Sequence, residues 1–135
     1  MAGTGFALPA LTAGRVLVVD DVDDQASSAA VLLMYHQFEA RTARTAREAL
    51  TIARSFHPHV VVLDLGLPDG DGVDVLRRLR QFPDPPAVVV VTGHTDAARR
   101  KTALDAGAAA CLLKPTDPDE LAEWVIRLRG PTKPV

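Results

Sequence analysis

Three unbroken apolar runs punctuate the chain: Val16-Leu17-Val18-Val19, Val60-Val61-Val62-Leu63 and Ala87-Val88-Val89-Val90-Val91. Runs this short, rich in β-branched residues and without polar alternation, predict strands covered on both faces, as in a parallel sheet. Weaker strands are expected over 39–42 and 109–113. Between the strands the polarity returns at helical spacing. A helix over 25–37, with Ala26, Ala29, Ala30 and Leu33 on one side, is expected to be capped by Asp23 or Asp24. A second starts at Thr45, with Glu48 at the third helical position as in a capping box, and runs through Ser55 before Pro58 ends it. Further helices are expected over 73–80, over 95–106 with Gly107 as a left-handed cap, and over 120–129 after Asp117 or Asp119. The segment Gly66-Leu67-Pro68-Asp69-Gly70-Asp71-Gly72 reads as a shaped turn, and Phe82-Pro83-Asp84-Pro85-Pro86 cannot continue a helix. Strand and helix thus alternate five times. The fold class is α/β: a doubly wound, five-stranded parallel sheet with five helices on its two faces.

Composition narrows this without changing it. A chain of 135 residues, 47% hydrophobic, builds one ordinary core and leaves little for a second domain. Residues 14–130 are expected to form that domain, with 1–13 a flexible arm and 131–135 a tail or the start of a linker. The net charge of −2 provides no general field for a phosphate backbone, so direct nucleic-acid binding is not expected of this segment. The one cysteine, Cys111, cannot pair within the chain, and neither a leader nor a long apolar stretch opens it, so a soluble cytoplasmic protein away from the membrane is expected.

The chemistry gathers at strand ends. Asp20-Asp21 follows the first apolar run and Asp64 follows the second, while Thr92 and Lys114 close the last two. Residues at the carboxyl ends of parallel strands meet on one edge of the sheet, where α/β folds hold their sites. Three carboxylates converging there need a cation. His36, His57, His59 and His94 are scattered and form no metal-site or nucleophile-base spacing.

In order and spacing, Val18-Val19-Asp20-Asp21, Leu63-Asp64-Leu65-Gly66-Leu67-Pro68-Asp69-Gly70-Asp71-Gly72, Val91-Thr92-Gly93 and Gly107-Ala108 through Leu113-Lys114-Pro115 resemble the receiver domains of bacterial two-component response regulators. Each motif is weak alone; the set is specific and covers 15–129. The resemblance implies the flavodoxin-like strand order 2-1-3-4-5, which periodicity does not give. It also implies that Asp64 is the phosphoacceptor, taking a phosphoryl group from a histidine kinase or histidine phosphotransfer protein as an aspartyl phosphate. Asp20 and Asp21 would then hold a divalent metal together with Asp64 and the backbone carbonyl of Gly66. Magnesium suits this set of hard oxygen ligands. Lys114, a point charge fit for a phosphate oxygen, would be aimed inward by a cis peptide to Pro115, and the Thr92 hydroxyl would donate to another oxygen. Gly93 leaves the phosphoryl group room, and His94 would sit where receivers adjust self-dephosphorylation.

The chain departs from the pattern at Cys111, where most receivers carry an aromatic ring that swings inward with the threonine. That puts the aromatic relay in doubt. Arg99-Arg100-Lys101 and Arg77-Arg78 with Arg80 read as solvated helix faces, Trp124 as packing for the last helix, and Gly70 and Gly72 as turn residues. The expected protein is a signalling domain that catalyses its own phosphotransfer and dephosphorylation without being an enzyme, and acts on a downstream effector or through a homodimer. The alternative is a docking domain that signals without phosphorylation. A phosphatase would need a second acid where Gly66 stands.

Overall fold

The computed structural model describes residues 12–93 and 97–131. Five parallel strands, β1 (Gly14–Val19), β2 (Phe38–Ala43), β3 (Val60–Leu63), β4 (Ala87–Thr92) and β5 (Ala110–Leu113), stand in the order β2-β1-β3-β4-β5. This is the expected 2-1-3-4-5 arrangement. Helices α1 (Asp23–Tyr35), α2 (Ala46–Phe56), α3 (Gly72–Leu79), α4 (Ala97–Asp105) and α5 (Pro118–Arg129) connect them. His94, Thr95 and most of the two terminal segments, 1–11 and 132–135, lie outside the described residues.

The apolar runs are unbroken because each central strand is covered twice. Leu17, Val19, Val61, Leu63, Val88 and Val90 point into one core with residues of α2 and α3, while Val16, Val18, Val60, Val62, Val89 and Val91 point into a second with residues of α1 and α5. The edge strand β2 instead exposes Glu39, Arg41 and Thr42, so its sequence carries little apolar signal. Trp124 packs on the second core, as expected, with the Arg127 guanidinium 5.1 Å from its ring centre.

Helix starts differ from expectation in instructive ways. Neither Asp23 nor Asp24 caps α1; Val22 holds that position without a side-chain bond, and both aspartates fall in the first turn. The turn is made earlier, by Asp20 Oδ1 accepting from the Val22 amide at 2.9 Å. At α2, Thr45 Oγ1 accepts from Glu48 N at 3.0 Å as expected, but the Glu48 carboxylate reaches back to Arg44 N at 2.7 Å instead of the cap residue's own amide. Helix α2 ends at His57 in the left-handed conformation, φ 52°, just before Pro58. Asp117, not Asp119, caps α5, with Pro118 in the first turn. His59 belongs to the amino-terminal edge of the sheet, where its Nδ1 accepts from Arg15 N at 2.9 Å. Burial, followed by the charges of Arg129 and Arg15, holds its pKa below the ordinary histidine value.

Candidate functional site

Two of the expected carboxylates are placed by one feature of the sheet. Val19 of β1 stands opposite Leu63 of β3, so the next residues, Asp20 and Asp64, leave adjacent strands side by side. Their backbones remain tied in: Asp64 N donates to Val19 O at 2.9 Å and Asp20 N to Ala43 O at 3.0 Å. The chain runs from β1 outward to β2 and then returns to β3 on the other side of β1. The two aspartates therefore sit where the connections diverge and a crevice opens.

Asp20 is buried, Asp64 half-buried and Asp21 exposed, and one oxygen of each lies within 4.8 Å of the others. Lys114 enters from the end of β5, and its peptide bond to the following Pro115 is cis, as the family resemblance implies. Its Nζ lies 2.9 Å from Asp20 Oδ2, 2.9 Å from Asp64 Oδ2 and 2.7 Å from Gln25 Oε1. Burial works to lower the Lys114 pKa, but hydrogen bonds and charges from Asp20 and Asp64 outweigh it, holding the ammonium above its ordinary value. One cation facing three carboxylates leaves an excess of two negative charges among hard oxygen donors. At ~4 Å each like-charge pair costs about 1 to 4 kcal/mol for dielectrics between water and a protein surface. A divalent cation with oxygen preference fits that donor set.

The surrounding loops are shaped for the same edge. Asp64 Oδ1 accepts from Gly66 N at 3.0 Å, and Gly66–Leu67 pairs antiparallel with Gly70–Asp71 in a small hairpin. Gly72, expected as a turn residue, is required for a close approach instead. A Cβ there would stand 2.6 Å from Leu65 Cα and 2.7 Å from Asp64 O. Thr92 is buried at the end of β4, and its carbonyl accepts from Lys114 N at 2.9 Å. Gly93 beside it has open space where a side chain would stand. Asp20, Asp64 and Lys114 share a cleft of about 630 Å³ with apolar wall residues Ala29 and Leu32 of α1 and Leu121 of α5.

A family model for the response regulator receiver domain matches residues 16–126. The chain belongs to that family. It is 40% identical over 115 residues to the transcriptional regulatory protein KdpE of Mycobacterium tuberculosis, which covers 85% of this chain and 49% of the relative. It is 37% identical over 116 residues to the DNA-binding response regulator MtrA of Mycolicibacterium paratuberculosis, covering 85% and 51%. The chain spans about half the length of these two curated relatives. A crystal structure of a CheY-like receiver domain protein from Methanospirillum hungatei superposes with a TM-score of 0.82 at 28% identity, covering 86% of this chain and 93% of that one.

Three residues of this receiver make contacts that period and turn chemistry do not predict. Gln25 shares Lys114, although helical spacing marked only its position on α1. Asp69, in the turn, accepts from Ala46 N at 2.7 Å and Arg47 N at 3.1 Å, and these bonds lower its pKa. Arg99, expected on a solvated face, instead reaches Leu65 O and Asp71. Cys111 is half-buried and packs against the core between the sheet and α2 and α3.

Proposed function

We propose that this receiver is a phosphoacceptor switch in which Asp64 takes a phosphoryl group from a histidine kinase or histidine phosphotransfer protein. The observation that carries the reading is the contact of a single Lys114 ammonium with both Asp20 and Asp64, beside Asp21, at the carboxyl edge of the sheet. An Asp64 oxygen forms the bond to phosphorus as the donor's phosphorus–nitrogen bond breaks, and the bonding pair leaves with the imidazole. Asp20, Asp21, Asp64 and the Gly66 carbonyl are the groups that would hold magnesium, whose contribution there is to neutralise charge on the transferring oxygens. Lys114 then exchanges a carboxylate contact for one with a phosphoryl oxygen, and the Thr92 hydroxyl donates to another. The added charge biases a two-state equilibrium felt by the later helices and read by an effector or a second copy.

This segment itself is proposed to be cytoplasmic and to leave DNA alone, given its net charge of −2; DNA binding is named for MtrA, of which it covers half. Among the described residues, no helix is long and apolar enough to cross a membrane. Incubation with magnesium and a small acyl phosphate should add one phosphoryl mass, lost in Asp64→Asn and in chelator. Undiminished labelling of Asp64→Asn would refute the assignment.

A further inference from the structure

The turn that follows Asp64 is held from two directions. On one side Asp69 accepts from the first amides of α2. On the other, Arg99 of α4 reaches in, and its Nη2 lies 3.3 Å from Leu65 O and 3.2 Å from Asp71 Oδ1. One guanidinium nitrogen thus bridges the two ends of the Gly66–Leu67 and Gly70–Asp71 hairpin. Both acceptors already serve the turn: Leu65 O accepts from Gly72 N at 3.0 Å, and Asp71 Oδ1 accepts from Val73 N at 2.9 Å to cap α3. Arg99 is half-buried and Asp71 exposed, with side-chain exposures of 32% and 46%.

The carbonyl after Leu65 belongs to Gly66, a residue with wide conformational freedom. Presenting that carbonyl to a cation requires the turn to be ordered, and any ordering already present in the free protein does not have to be supplied on binding. We infer that Arg99 is a positioning residue for metal-dependent phosphotransfer: its bridge from α4 to Leu65 and Asp71 fixes the turn that presents the Gly66 carbonyl. The inference rests on the phosphoacceptor reading and adds a consequence. Because coupling between sites is reciprocal, occupancy at the carboxylates also bears on α4 through the same bridge.

The test measures magnesium affinity by calorimetry on the whole chain, together with amide exchange of the Gly72 N–H in the metal-free protein. Arg99→Ala should weaken magnesium binding about two- to fivefold, the range for a partly exposed ion pair, and accelerate Gly72 exchange. Arg99→Lys should recover most of the affinity, since one nitrogen makes both contacts. Asp71→Asn keeps an oxygen to cap α3 and should weaken magnesium by a similar factor, with little further loss in the double variant. Unchanged affinity in Arg99→Ala, no recovery with lysine, or additive losses in the double variant would overturn the role. If the unaltered protein is labelled on Asp64 while Arg99→Ala matches it throughout, the inference falls and the phosphoacceptor reading stands. If the unaltered protein takes up no phosphoryl group, that reading falls and the inference with it.

Discussion

Lys114 is the residue on which the site balances. Its side chain is 24% exposed, and its carboxylate partners Asp20 and Asp64 are 10% and 13% exposed. Removing it leaves two mostly buried anions facing one another, so Lys114→Ala should lower the stability of the metal-free protein by about 1–3 kcal/mol in thermal or denaturant unfolding. The same ammonium covers oxygens that a cation needs, so magnesium affinity should be kept or raised, while the conformational response to phosphorylation weakens. Loss of magnesium binding with a normal response would contradict this. Because the Lys114 pKa lies above the ordinary 10.5, its stabilisation is fully present below that value and disappears as pH rises through the higher folded one; acidification toward neutrality leaves it intact. The placement of Asp20, Asp21, Asp64, Thr92 and Lys114 was legible because residues at or just past the carboxyl end of a parallel strand come to the sheet edge. Gln25, Asp69 and Arg99 were not, because a long or turn-borne side chain can reach a partner distant in sequence, which spacing does not encode.

At the next level, strand and helix types follow from period, while their ends follow from contacts that period does not show. Helix α1 begins earlier than its aspartates indicate because Asp20, already placed by β1, turns the chain. Gly72 opens α3 against the backbone of Asp64 and Leu65, a constraint visible only once the hairpin folds back. The departure at Cys111 also belongs here. A modification shifts an equilibrium only through contacts that differ between states, and a thiol packed against the core offers little such difference. Phosphorylation should therefore reorder the connection after Thr92 and α4, with little change in β5. Amide exchange with and without a beryllofluoride mimic checks this: altered protection over Ala97–Asp105 and a quiet Ala110–Leu113 are expected. A response centred on Cys111, with α4 unaffected, would mean that a different relay operates.

On the proposed reading, the sheet as a whole explains how a local acid cluster would act as a switch. Alternating strands and helices indicated a doubly wound sheet, but the order β2-β1-β3-β4-β5 came from resemblance, since periodicity states which residues are covered and not which strands are neighbours. That order sets Asp20 beside Asp64 and brings Lys114 across from the far edge strand, and α4 leans on the intervening turn through Arg99. Charge added at Asp64 is thereby placed among groups from β1, β3 and β5 at once. Direct mapping of the modified residue tests this arrangement best. After reaction with a small acyl phosphate and magnesium, borohydride reduction converts an aspartyl phosphate to homoserine, which peptide mass spectrometry locates. Homoserine at position 64 alone, and none without magnesium, is the expected result; homoserine at 20 or 21, or labelling that persists without the metal, would contradict it.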